Sequence, residues 1–403
     1  MSKYTCERCL KEFIQITHYD KHQKKKIPCQ DNKEDIEKVV ENIINKKLIQ
    51  NKNETIDTTS IMDKSQLGQF YTTNYEYILS NMGIPEDVNH IIEPFVGNGD
   101  LLGLITDRTK YTIETYDIDS KYVNVVKRDT LENPPIYKDK FVLANPPYLA
   151  RNKNKEKKLY DKYKCNDLYK CFIINLIEGE CQGGIIIIPL NFISSIRKAD
   201  IDLRKQFLEK YTIIIINIFE EQVFDDTSYA VCSMYFRKAT QACQQKIKTY
   251  IYPSKKTMEI SLTNENNYTI GGEIYSLPYN PKYKIQRATK ETKKNITNIL
   301  LKCIDDNINK QLGFKVVSNE KQFIDNTPKL SARSYATLVI NKTLTLEEQE
   351  ILVKKMNDYI KVQREKYNSL FLTNYRESNT IARKRISFDL AFNICNYMLS
   401  QVG

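Results

Sequence analysis

The chain has 403 residues, more than one ordinary hydrophobic core organises, so two or three domains are expected. Its hydrophobic content of 41%, with 15 Phe and 27 Tyr, excludes disorder throughout, and no run approaches the roughly twenty apolar residues of a membrane span. The 61 Lys and Arg against 50 Asp and Glu leave a net charge of +11, which favours a polyanionic partner, although a solvated lysine surface gives the same excess.

Residues 4–29 read YTCERCLKEFIQITHYDKHQKKKIPC and hold two of the three histidines and three of the ten cysteines. Zinc takes four soft or borderline ligands in a tetrahedron: Cys6 and Cys9 give a CxxC pair, and His22 with Cys29 completes the set. His18, one helical turn before His22, competes as a ligand, and His18 and Cys29 as plain surface residues is the bland alternative. The stretch resembles a ββα zinc finger whose last histidine has become cysteine, a form associated with large DNA viruses. One finger covers about three base pairs, so it specifies no site alone and serves equally well as a protein contact. The other cysteines, Cys165, Cys171, Cys181, Cys232, Cys243, Cys303 and Cys395, are scattered and read as reduced thiols.

Ile36, Val39, Val40, Ile43, Ile44 and Leu48 recur at helical spacing and predict an amphipathic helix over residues 31–49. A polar linker follows to about residue 62. A strand over residues 88–93 runs into Glu93-Pro-Phe-Val-Gly-Asn-Gly-Asp100. Gly97 and Gly99 let the backbone turn tightly and approach a ligand, and the acid at the strand end can reach a cation or a hydroxyl. The next strand, residues 111–116, ends at Asp117 and Asp119, about twenty residues on, where an acid gripping ribose hydroxyls sits. Asp129 precedes the strand after that.

That strand, Lys140-Phe-Val-Leu-Ala-Asn-Pro-Pro-Tyr148, stops abruptly because neither proline can donate to a sheet ladder. Open parallel sheets bind ligands at this edge. The Asn145 side-chain oxygen and the Pro146 carbonyl are two acceptors for the two N–H groups of a planar amine. Together they draw its delocalised nitrogen toward a nucleophilic form. Tyr148 adds a ring for stacking; a mere strand-ending turn is the plain alternative.

Helix over residues 167–178, strand over 184–190, helix over 201–210 and strand over 212–219 continue an alternation that marks a doubly wound α/β sheet. Residues 229–237 read as an edge hairpin strand, and 246–253 as β structure entering a linker. Thr345-Leu-Glu-Glu348 is a capping box that opens a helix over residues 346–367, with Ile351, Leu352, Met356, Tyr359 and Ile360 as core. Basic and aromatic stretches at residues 280–287, 329–335, 374–376 and 383–385 suit phosphate and base contacts, as does a solvated basic face.

Residues 68–237 resemble an S-adenosylmethionine-dependent DNA methyltransferase of the adenine-N6 family in its gamma motif order. GQFYTT (68–73) is similar to motif X, EPFVGNGD to motif I, YDID (116–119) to motif II, RDTL (128–131) to motif III and ANPPY (144–148) to motif IV. The resemblance implies a Rossmann-like sheet with Thr72, Glu93, Gly97 and Gly99 around the methionine part of the cofactor. It puts Asp117 on the ribose hydroxyls and Asp129 on the adenine amino group; Asp119 reads as a surface acid. A target adenine flipped from the duplex would stack on Tyr148, with Phe224 as the second face. Tyr229 competes for that place, and core packing is the plain reading of Phe224.

The expected organisation is a zinc finger over residues 1–30, a helix and linker over 31–62, a methyltransferase domain over 63–243, and an α+β target recognition domain over 244–403. The expected activity is methyl transfer from S-adenosylmethionine to N6 of adenine in double-stranded DNA, with Asn145, Pro146 and Tyr148 catalytic and zinc structural. Alternatives are RNA adenine or protein glutamine as substrate, since the same tetrapeptide serves any planar amine, and a catalytically silent zinc-finger DNA-binding protein. A monomer is expected, with no membrane partner and a separate cognate restriction endonuclease as a candidate partner. The expected location is intracellular, in cytoplasm or nucleus, with a viral factory or virion as alternatives.

Overall fold

The structure, a computed structural model, describes residues 4–6, 12–13, 16–23, 72–119, 122–224, 230–239, 246–305, 311–326, 334–375 and 383–401. It divides into two compact units, Met1–Met62 and Asp63–Gly403. In the first, β1 (Tyr4–Thr5) pairs antiparallel with β2 (Glu12–Phe13), and α1 (Ile16–Gln23) follows. The Phe13 ring lies 5.0 Å from His22 and 6.0 Å from Tyr19, and Cys6 is buried. Ring contacts thus supply what apolar core so small a piece can hold. The helix expected over residues 31–49, the linker, and residues 68–71 of the GQFYTT stretch lie outside the described residues.

The second unit is organised by a nine-stranded mixed sheet. Its strands are β3 (His90–Glu93), β4 (Thr112–Asp117), β5 (Val126–Lys127), β6 (Phe141–Ala144), β7 (Gly183–Pro189), β8 (Tyr211–Phe219), β9 (Val231–Lys238), β10 (Ile247–Tyr252) and β11 (Lys256–Ile260). Their order is β11-β10-β8-β9-β7-β6-β3-β4-β5. Neighbours from β7 through β5 are all parallel. Every residue of β6 and β7 is buried, as strands covered on both faces require. The covering helices include α2 (Tyr75–Ile78), α3 (Lys158–Tyr163), α4 (Leu168–Gly179), α5 (Asn191–Ser194) and α6 (Lys198–Lys210). Phe172 of α4 packs edge-on to Phe95 at 5.0 Å. Beyond β3 the chain adds β4 on one side and β6 on the other, so a crevice opens between the carboxyl ends of β3 and β6.

Two expectations are corrected here. The run over residues 229–237 is no edge strand: β9 inserts between β7 and β8, antiparallel to both. Its Val231, Cys232, Ser233, Met234 and Phe236 are all buried, and the Ser233 hydroxyl donates to the Ile78 carbonyl at 2.6 Å. The sheet also runs past residue 243, because β10 adds parallel to β8 and β11 closes the edge antiparallel. β10 buries Ile247, Thr249 and Ile251 on one face, the one-sided alternation of a strand covered on a single side.

Farther along, β12 (Ile285–Arg287), β13 (Ile296–Lys302), β14 (Gly313–Val316) and β15 (Tyr335–Ile340) form an antiparallel sheet in the order β12-β15-β13-β14. Helices α7 (Leu346–Lys366) and α8 (Phe388–Ser400) share a second hydrophobic core with it. The capping box forms: Glu348 N–H donates to Thr345 Oγ1 at 3.2 Å and Thr345 N–H to Glu348 Oε2 at 2.7 Å. Leu352, Met356 and Ile360 are buried one turn apart, whereas Ile351 is 44% exposed, off that stripe and not core as expected.

Hairpin β16 (Thr373–Tyr375) and β17 (Arg383–Arg385) completes the described C-terminal part. Lys384, in the basic block read as a DNA contact, is 6% exposed and pairs with Glu220 just beyond β8. It ties the C-terminal part to the large sheet. Arg287 likewise pairs with Asp325 at 2.9 Å and lies over the Phe388 ring, and Tyr283 is buried.

Candidate active site

Glu93 closes β3 at the crevice and is 1% exposed. Among the described residues its Oε2 finds no hydrogen-bond partner. Burial, and after it the carboxylates of Asp100 and Asp117, hold its carboxyl well above the usual range, with Arg108 opposing. Gly97 and Gly99 turn the chain through φ of 52° and 81°, the left-handed region that glycine enters without strain. Gly97 N–H donates to Asp117 Oδ2 and Asp119 N–H to Asp117 Oδ1, each at 2.8 Å, so the acid ending β4 is fixed against the glycine turn. A Cβ on Gly99 would lie 2.5 Å from the Tyr122 ring, whose hydroxyl accepts from Arg108 at 2.7 Å. Asp129 Oδ1 accepts the N–H groups of Leu131 at 2.9 Å and Glu132 at 3.0 Å, which makes it a turn cap. A buried carboxylate with an unpaired oxygen suits an ammonium group, and the oriented Asp117 carboxylate suits a pair of hydroxyls. The residues fit an amino-acid nucleoside.

Asn145 begins one residue past β6. Its Nδ2 donates to Thr72 Oγ1 at 3.0 Å, which brings Thr72 to the crevice. Tyr148 is 2% exposed; its hydroxyl lies 2.5 Å from Asn145 Oδ1 and 2.7 Å from the Ile187 carbonyl, so one hydrogen is shared between two acceptors. Burial holds that hydroxyl well above its ordinary pKa. Phe224, on the loop after β8, is 3% exposed. Two consecutive acids hold that loop, Glu220 through Lys384 and Glu221 through the Tyr77 hydroxyl. Both rings expected to face a base are therefore buried here, and Tyr229 lies outside the described residues.

A cavity of about 660 Å³ opens two residues beyond Tyr148, lined by Ala150, Arg151, Pro189, Asn191, Arg197 and, from the C-terminal part, Thr373 among others. Its size falls within the roughly 300–1,000 Å³ of ligand pockets. Sequence reading missed Arg151, Asn191 and Arg197, since single polar residues carry no spacing signal. The usable sign was Pro189, which ends β7 as Pro146 follows β6.

Cys6 and His22 are described, but Cys9 and Cys29 are not; among the described residues no three His, Cys, Asp or Glu form a group that could hold a metal. No helix of the described residues is long and apolar enough to cross a membrane.

Residues 109–272 match the family model described as N-6 DNA Methylase. This stretch is similar to N-6 DNA methylases. The matched stretch contains Asp117, Asp129 and Asn145–Tyr148, and it continues past residue 243 through β10 and β11, in step with the sheet. The fold is a mixed-sheet α/β arrangement. No curated protein matches the chain. Similar solved structures include a type I restriction enzyme modification subunit from Vibrio vulnificus YJ016, at 12% identity and TM-score 0.38, covering 53% of this chain and 57% of that one. Another is a type I restriction-modification methyltransferase subunit from Streptococcus thermophilus, at 16% identity and TM-score 0.32, covering 46% and 47%. A third is DrdV in a DNA complex, at 15% identity and TM-score 0.38, covering 59% and 35%. The chain thus spans 35% to 57% of the length of these proteins.

Proposed function

We propose that the protein methylates N6 of adenine in double-stranded DNA, with S-adenosylmethionine as donor. One observation carries the reading. A buried acid without a partner among the described residues, a glycine turn with a fixed carboxylate, and an Asn-Pro-Pro-Tyr strand end lie at neighbouring strand ends of one sheet, part of which is similar to N-6 DNA methylases. Glu93 takes the amino group of the cofactor's methionine part, with Thr72, Gly97 and Gly99 beside it; Asp117 takes the ribose hydroxyls and Asp129 the adenine amino group. When bound, the cofactor supplies an electrophilic sulfonium methyl.

Asn145 Oδ1 and the Pro146 carbonyl accept the two N–H groups of the target amine and concentrate its lone pair on nitrogen. In-line positioning does the rest. A base flipped out of the duplex stacks on Tyr148, with Phe224 as the second face. For this to happen the Tyr148 hydroxyl must release Asn145 Oδ1. The cavity beyond Tyr148, with Arg151 and Arg197 on its wall, suits the nucleotide that carries the base. The C-terminal sheet and hairpin act as the target recognition domain, and Cys6, Cys9, His22 and Cys29 hold a structural zinc. The ββα order and the buried Cys6 support that zinc. A separate endonuclease of a restriction-modification pair is the natural partner.

Incubation with methyl-labelled cofactor and equal amounts of duplex DNA, RNA and protein tests the substrate class. Label is expected in DNA adenine; label confined to RNA or to protein glutamine overturns the reading.

A further inference from the structure

Cys165 and Cys171 stand among the scattered cysteines of the sequence, yet the fold brings their thiols together. Cys165 follows the last turn of α3, its N–H donating to the Tyr160 carbonyl at 3.1 Å. Cys171 sits in the first turn of α4. Both thiols point at the Asp167 carbonyl, at 3.4 and 3.6 Å. Their sulfurs are 2.9 Å apart, and roughly 1 Å of approach gives the disulfide length of about 2.05 Å.

The two thiols are unequal. Cys165 is partly accessible and Cys171 is buried, so a small oxidant meets Cys165 first. The hydrogen bond from Cys171 holds the Cys165 thiol below its ordinary pKa, against the effect of burial, and the same contact pushes Cys171 up. Cys165 is therefore the nucleophile and Cys171 the resolving thiol.

Asp167, between them, is joined to the catalytic strand end. Its Oδ1 accepts the Leu149 N–H at 3.1 Å, Leu168 N–H donates to the Leu149 carbonyl at 3.3 Å, and Ala150 bridges to Asp167. Leu149 directly follows Tyr148. Whatever stiffens the turn over residues 165–171 stiffens the segment that Tyr148 must carry with it.

We propose that Cys165 and Cys171 form a redox-reactive dithiol site, which hydrogen peroxide converts to a disulfide that locks the segment behind Tyr148. The Cys165 thiolate attacks one peroxide oxygen, the O–O bond breaks, and the departing hydroxide takes a proton to become water. Cys171 then gives up its proton and attacks the Cys165 sulfur; the S–O bond breaks and a second water leaves. The two thiols lose two electrons, and the peroxide is reduced to two waters. The lock's effect on methyl transfer rests on the proposed function; the chemistry of the pair does not.

The full-length reduced protein is treated with hydrogen peroxide, its remaining thiols are alkylated, and peptides are read by mass spectrometry. A peptide linked through Cys165 and Cys171, reversed by dithiothreitol, is expected. In Cys171→Ser, or in Cys171→Ala should serine perturb the buried site, Cys165 is expected to stop at a sulfenic acid that dimedone captures. Both thiols remaining alkylatable, or Cys165 linked elsewhere, overturns the site. Hydrogen exchange over residues 145–150 is expected to slow several-fold on oxidation and to recover with dithiothreitol; unchanged exchange overturns the lock. Neither readout uses substrate, so failure here is distinguishable from failure of the methyltransferase reading.

Discussion

The two sides of the crevice are prepared differently. On the side of β3 and β4 the groups are held in place: Asp117 is fixed by two backbone N–H groups, and among the described residues Glu93 keeps a buried oxygen without a partner. On the side of β6 and β7 the working groups are occupied by one another, with the Tyr148 hydroxyl on Asn145 Oδ1 and both Tyr148 and Phe224 buried. A preorganised half costs little to fill, whereas a self-satisfied half must break its own hydrogen bonds before it accepts a ligand. Under the proposed function the difference implies an order: the cofactor would enter a formed site, and the base would open a closed one.

Asn145→Ala separates the sides most strongly. Methyl transfer is expected to fall about a hundred- to thousandfold, as when one polar group acting on the reacting centre is lost, with cofactor affinity by calorimetry nearly unchanged. Equal losses in both would merge the two sides into one. Lys384→Met removes the clamp on the loop that carries Phe224 and leaves the half-buried Glu220 without that partner, which should cost about 1–3 kcal/mol of unfolding free energy. It should leave the salt dependence of DNA binding unaltered; a shallower salt slope would instead make Lys384 a phosphate contact.

On the cofactor side, burial keeps a proton on Glu93 above the ordinary carboxylate range. A neighbouring ammonium favours the ionised form, so binding releases that proton, and affinity rises with pH up to the raised pKa of the free protein. Calorimetry in two buffers of different ionisation enthalpy should show the release. Glu93→Gln should abolish it and weaken binding about tenfold, by losing a hydrogen bond to a charged group. Tyr148→Phe has the smallest expected effect: about 1 kcal/mol less stability, read from denaturant unfolding, for the lost hydroxyl contacts. The stacking ring is kept, so methyl transfer should stay within a few-fold.

Much of this was legible in the sequence because it lies on strand ends. Glu93 and Asn145 each close or follow a short apolar run, Asp117 closes the strand between the glycine turn and Asp129, and the alternation of strand and helix places such ends on one edge. What the sequence hid depends on contacts distant along the chain. The insertion of β9 between β7 and β8 follows from two-sided burial, which period-2 alternation does not reveal. Lys384 looked like a surface cation because its partner, Glu220, lies 164 residues away. The contact of Cys165 with Cys171 needed the turn around Asp167. The closed state of Tyr148 was likewise invisible, since a tyrosine after two prolines reads the same whether its ring is offered or buried.

Hydrogen exchange, followed first with a non-reactive cofactor analogue and then with duplex DNA, tests the order most directly. Protection is expected over residues 93–99 and 117–119 with the analogue alone, while 145–150 and 220–224 change only when DNA is added. Changes over 145–150 with the analogue alone, or none there with DNA, would contradict a formed cofactor side facing a closed acceptor side.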